Sequence, residues 1–183
     1  MRIARRREGG ATAVEAALVT PVILGLMLAI LEFGLFFKDS LSASEAVKAG
    51  VRLASAAPRQ ADYAQNAANR VKAASGALPR GSIQELWVYK ANTNNNYPTG
   101  YSSFAGCTTC VKFTWTGTEF APSYSNWAPT TQNACASGPP DRIGVYLKAR
   151  HDALTTAIFT SLTIQQADVL RFEPVPASHG CTP

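Results

Sequence analysis

The chain has 183 residues, 46% of them hydrophobic, and carries 17 Lys and Arg against 12 Asp and Glu, a formal charge of +5. That length accommodates one compact domain of about 100–140 residues beside an anchoring segment. The basic excess is local: Arg2, Arg5, Arg6 and Arg7 precede Glu8, and no basic stripe interleaved with aromatics follows, which argues against nucleic acid as a partner.

Residues 1–10 read as a basic leader, too short and too charged to fold. The chain then turns apolar, and from Ala16 to Phe37 the only ionisable side chain is Glu32. At about 1.5 Å per residue this run makes a helix of roughly 33 Å, enough for a hydrocarbon core about 30 Å thick. Residues 11–37 are therefore expected to be a single-pass transmembrane helix in the cytoplasmic (inner) membrane, in contact with its lipid. Arginines before the span, and only Lys38 balanced by Asp39 after it, orient the N-terminus to the cytoplasm and the rest of the chain to the periplasmic or extracytoplasmic side. A cleaved secretory signal ending at Ala54-Ser55-Ala56 is disfavoured. Such signals have an apolar region of about 7–15 residues cut soon after it ends, whereas Lys38, Asp39, Glu45, Lys48 and Arg52 intervene here.

Within the span, Ala13, Ala17, Pro21, Gly25 and Ala29 recur every four residues and form a ridge of small residues on one slowly drifting face. Such ridges let membrane helices approach closely, although small residues are also common in such helices generally. Pro21 should kink the helix or leave a carbonyl unpaired. Glu32, an intramembrane acid near the outer end, either snorkels to the headgroups or contacts a neighbouring helix.

Glu15 lies four residues after Ala11. A basic leader ending in Gly, a small residue, Glu at the fifth position beyond it and an unbroken apolar helix resemble the type IV pilin class. The run ATAVEAALVTPVILGLMLAILEFGLFF, the following SASEAVKAGVRLA and the ending Arg171-Phe172-Glu173-Pro174 are similar to the TadE/TadG group of pseudopilins of the tight-adherence (Flp) pilus and secretion system. The resemblance is strong over residues 5–57 and thin beyond. It implies cleavage between Gly10 and Ala11 by a prepilin peptidase, which would leave 13 Lys and Arg against 11 Asp and Glu. It also implies that Glu15 meets the freed amine of Ala11 on a neighbouring subunit and sets the register of assembly. Unpaired in lipid, an acidic residue costs about 2.5–3.5 kcal/mol. The partners so implied are the peptidase, other pilins and pseudopilins, and the pilus assembly platform. The role implied is that of a minor or priming subunit. The rival is an unprocessed, membrane-anchored binding or adhesion protein.

Residues 38–76 continue as amphipathic helices. Ala43, Val47, Val51 and Ala54 share one face, Glu45 and Lys48 form a favourable pair, Pro58 ends the first helix, and residues 61–74 form a second that stops at Gly76. Beyond Gly81 the period becomes alternating. Strands are expected at 82–89, at 111–116 with Val111, Phe113 and Trp115 on one face, around Ile143, Val145 and Leu147, and at 163–172. Residues 152–159 read as a short helix or loop. Residues 77–183 thus form an external α+β domain. The resemblance implies a pilin-like plan, with the extended helix laid on a small antiparallel sheet. Long polar loops at 91–106 and 117–140 carry Tyr97, Tyr101, Tyr124 and Trp127, a candidate contact surface, with Trp127 equally suited to plugging the sheet edge.

Four cysteines, Cys107, Cys110, Cys135 and Cys181, all lie on the outer side and suit an oxidising compartment. A thiol-redox Cys107-Thr108-Thr109-Cys110 should open a helix, but a strand follows. A zinc site lacks a second close pair, and His151 and His179 stand at no usual ligand spacing. Two structural disulfides are expected, and all three connectivities are open, with Cys107–Cys110 plus Cys135–Cys181 preferred. No nucleophile elbow, phosphate-cradling loop or His-Glu-x-x-His is present. His151-Asp152 reads as a strand-end turn rather than a dyad. No enzyme activity, metal or cofactor is expected.

Overall fold

The computed structural model describes residues 9–94, 97–155 and 159–175. The first helix, α1, is continuous from Gly9 to Ser55 and runs through Pro21. At about 1.5 Å per residue it is roughly 70 Å long, so its two halves meet different surroundings. From Asp39 onward one stripe is buried, with Ala43, Ala46, Val47, Val51 and Ala54 facing inward. Glu45 and Lys48 pair at 3.0 Å on the exposed side. The second helix, α2, spans Tyr63–Ala74 and buries Tyr63, Ala64, Ala67, Ala68 and Val71. Small side chains let the two helices approach closely at Gly50. A Cβ added there would stand 2.5 Å from Val71 Cγ2 and 3.3 Å from the Ala67 carbonyl oxygen.

Five strands form one antiparallel sheet in the order β3-β2-β1-β4-β5. They are β1 (Ile83–Lys90), β2 (Cys110–Trp115), β3 (Phe120–Ser125), β4 (Arg142–Asp152) and β5 (Ser161–Arg171). Alternation sorts their side chains. Leu86, Val88, Phe113, Val145 and Leu147 turn toward the helices and build the main core. Trp87, Tyr89 and Tyr146 turn to the opposite face. Tyr89 pairs directly with Gly144. Its ring occupies the space of the missing side chain, since a Cβ there would lie 2.4 Å from the ring. The result is the expected α+β plan, a helical layer across one face of an antiparallel sheet.

One strand escaped the sequence. β3 lies inside the stretch expected to be a long polar loop, and it carries Pro122. It is an edge strand, where proline is tolerated because one side of the backbone has no partner. Of residues 152–159, expected as a short helix or loop, Asp152 ends β4 and pairs with Ser161, while residues 153–155 and Phe159 lie between β4 and β5 with neither helix nor strand. Trp127 belongs to the core. It is buried, its carbonyl accepts a 2.9 Å bond from the Tyr63 hydroxyl, and its ring lies 5.6 Å from Tyr63 and 5.8 Å from Phe172. Buried Phe172 is part of the Arg171-Phe172-Glu173-Pro174 segment, whose next residue closes α1: the Glu173 N–H donates to the Ser55 carbonyl at 2.9 Å. That satisfies one of the carbonyls a helix end leaves unpaired.

Candidate membrane and assembly interface

The first half of α1 has no core to join. Residues 10–31 are exposed apart from half-buried Ala29, and the run includes Val14, Leu18, Ile23, Leu26 and Ile30. Among the described residues this is the one helix long and apolar enough to cross a membrane. A bare helix with such a surface is tolerable only where lipid or other helices cover it. Gly10, Ala11 and Glu15 lie on this exposed part, as do Ala13, Ala17 and Gly25. A Cβ built at Gly25 meets nothing within 4 Å, so its face of the helix is open. Residues 1–8 of the expected leader lie outside the described residues.

At Glu32 the surroundings change abruptly. Its side chain is 1% exposed, although the helix on either side of it is bare. One carboxylate oxygen accepts the Leu154 N–H at 3.0 Å and the other accepts the Thr155 N–H. Both donors sit on the β4–β5 connection, where a turn leaves backbone N–H groups without ladder partners. The carboxylate is held by its own chain, because folding brings the hairpin alongside the helix. Hydrogen bonds to a charged acceptor are worth about 1.5–3 kcal/mol each.

Next to it lies a pair the sequence did not reveal. His151 Nδ1 and Asp39 Oδ2 are 2.8 Å apart, with side chains only 4% and 6% exposed. Phe36 packs edge-on to the His151 ring at 5.7 Å and Phe159 lies 6.3 Å away on another side. Phe33 also meets Phe159, at 6.1 Å. Asp152, the sequence neighbour of His151, instead pairs with Arg150 at 2.8 Å on the surface. Adjacent strand residues point to opposite faces; His151 therefore turns inward and Asp152 outward. That alternation was the available signal, since His151 continues the inward series Ile143, Val145, Leu147 and Ala149. Its partner, 112 positions away, had none.

The long loops are occupied with their own fold. The segment before β2 folds back over the outer sheet face and delivers Phe104 against Tyr146 at 4.6 Å, Tyr89 at 5.1 Å and Trp87 at 5.2 Å. Cys107 and Cys110 form a disulfide at its base. Cys135 is also disulfide-bonded, while Cys181, its preferred partner, lies outside the described residues. The Tyr124 hydroxyl donates to the Cys107 carbonyl, and the Tyr101 hydroxyl to Thr108 Oγ1 at 3.1 Å. Of the four aromatics considered as a contact surface, Trp127 is buried and Tyr97 is the most open. A shallow cleft of about 460 Å³ remains beside Trp87, lined by Glu85, Phe104, Lys112 and Tyr124 among others. Its charges already pair, Lys112 lying 2.9 Å from Glu85 and 5.0 Å above the Trp87 ring.

A single apolar helix running out of a small helix-on-sheet domain defines a candidate membrane-anchored protein of the α+β class. Comparison with protein families then narrows this: the model of the TadE-like protein family matches residues 10–52. Over that segment, less than half of the chain, it is similar to TadE-like proteins. No curated protein and no solved structure matches the chain. The family match covers the exposed helix and the part of its continuation that packs on the sheet. The buried Glu32, Asp39 and Gly50 all lie inside it.

Proposed function

We propose that this chain is a minor pseudopilin of a tight-adherence pilus. A prepilin peptidase cuts between Gly10 and Ala11 at the cytoplasmic face, and α1 then carries the subunit in the membrane, with the domain outside. The subunit takes part in assembly of the pilus or its secretion platform, as a structural partner of other pilins and not as an enzyme. The observation that carries this proposal is the TadE-like match over residues 10–52, on a helix whose first half is apolar and exposed. Charge supports the register role of Glu15. A carboxylate about one turn beyond the cut complements both the new α-amine and the positive end of the helix dipole.

Glu15→Ala tests it. The variant should insert in the membrane and be cleaved as the parent is, yet no longer be isolated with the other pilins. Undiminished co-isolation would refute the register role. The alternative, an unprocessed surface-binding protein, draws on the cleft beside Trp87. Its already paired charges make it the weaker reading.

A further inference from the structure

The geometry points to a second contact between this protein and the bilayer: Leu154, just beyond the end of β4, seats in the outer lipid interface beside the anchor helix. Leu154 is 71% exposed, the highest value among exposed large hydrophobic side chains outside α1 in the described residues. It does not stand on a free loop. Its own N–H and that of Thr155 are bound by Glu32, so Leu154 is fixed against the helix at that level. Phe159 on the returning side packs against Phe33.

The level is what matters. Glu32 follows Ala11 by 21 positions, or about 32 Å along a helix, close to the thickness of a hydrocarbon core. With Ala11 at one face of the bilayer, Glu32 and the Leu154 it holds lie near the other. Leu154 then lines the same cleft as Leu35 of α1, which is itself exposed. Lys38 and Arg150 line that cleft too. Those two cations lie a turn or a few strand residues further from the bilayer, at headgroup height, with side chains 53% and 50% exposed. Each is matched by a carboxylate, Asp39 at 3.0 Å and Asp152 at 2.8 Å. The recognised partner is therefore the apolar–polar boundary of the bilayer rather than an anionic headgroup. A domain held at both α1 and the hairpin stands at a fixed angle on the membrane, whereas one held by α1 alone swings.

This rests on the anchoring part of the proposed function, and the test separates the two. Single cysteines introduced at Leu154, at Val22 in the span and at exposed Thr118 in the β2–β3 turn are labelled with an environment-sensitive fluorophore. The full-length protein is then reconstituted in phosphatidylcholine vesicles containing spin-labelled lipids of graded depth. The Val22 label should be quenched by deep spin labels, the Leu154 label by shallow ones at least threefold more than the Thr118 label, and the Thr118 label by aqueous iodide. Adding phosphatidylglycerol should leave the Leu154 result unchanged. A Leu154 label as open to iodide as that at Thr118, with Val22 still quenched by lipid, overturns the hairpin contact and leaves the anchor standing. Protection of Leu154 that disappears as protein is diluted in lipid assigns Leu154 to a second copy and overturns the contact also. Loss of lipid quenching at Val22 overturns the anchor and the hairpin contact together.

Discussion

Replacing Gly50 by alanine tests how tightly the helical layer is set. In isolation the change should help, because glycine is about 0.8–1.0 kcal/mol worse than alanine inside a helix. In this fold the new methyl would lie 2.5 Å from Val71 Cγ2 and 3.3 Å from the Ala67 carbonyl oxygen. Ordinary carbon contacts are about 3.5–4.0 Å, so the helices must part by roughly 1.0–1.5 Å. Val71 cannot swing away, since a β-branched residue in a helix has essentially one χ1 rotamer and this one is fully buried. Overpacking of this kind costs about 1–3 kcal/mol, so Gly50→Ala should be net destabilising by as much as ~2 kcal/mol. Val71→Ala, which removes two methyls, should cost about 1.5–2.5 kcal/mol. Combined, the alanine at 50 fills part of the space vacated at 71. The double variant should then be no less stable than Val71→Ala within about 0.5 kcal/mol, a coupling of the size seen for residues in contact. Urea unfolding of the detergent-solubilised chain, followed by tryptophan fluorescence, reads all four proteins. Stabilisation by Gly50→Ala alone, with additive effects in the double variant, would refute the close packing.

Gly25→Leu places a large side chain on the open small-residue face of the anchor. Membrane insertion should be unchanged and co-isolation with partner pilins reduced several-fold; equal recovery would remove that face from assembly. Alkaline pH gives an independent check on the core. Burial, then the charges of Glu85 and Tyr97, raise the Tyr146 hydroxyl from an ordinary 10 to about 12. Burial likewise raises Tyr63 and Tyr89 well above the usual tyrosine range. A raised folded-state value favours the protonated form, so the stability these groups contribute is complete below pH 10 and is lost as pH climbs from 10 through 12 and beyond. Their tyrosinate absorbance should therefore lag and then rise together with unfolding in that window. Titration of all six tyrosines near pH 10 without loss of structure would contradict the packing around Tyr63, Tyr89 and Tyr146.

How much of this was written in the sequence follows from how local each signal is. The long exposed helix needed only an uninterrupted apolar run, and β4 needed only Ile143, Val145 and Leu147 at alternate positions. The stripe Ala43, Val47, Val51 and Ala54 repeats at helical spacing, and all four are buried. β3 was invisible because an edge strand with Pro122 and exposed serines shows no alternation of apolar and polar residues. Trp127 could be read as a loop aromatic until Tyr63 and Phe172, far from it in sequence, closed around it. Glu32 was recognised as unusual from its apolar neighbours, but what holds it is a pair of backbone N–H groups more than 120 positions later, which no side-chain pattern encodes. For the Asp39–His151 pair, alternation marked His151 as inward, but nothing local pointed to Asp39, 112 positions away.

The central claim is that this helix is trimmed at Gly10–Ala11 and then stays in the membrane as the assembling part of a pseudopilin. Intact-mass measurement of the protein extracted from membranes tests it most directly, in cells with and without the prepilin peptidase. The account predicts a chain beginning at Ala11 where the peptidase is present and at Met1 where it is absent. A chain still beginning at Met1 in peptidase-bearing cells, or one recovered in the soluble fraction without its helix, would contradict it.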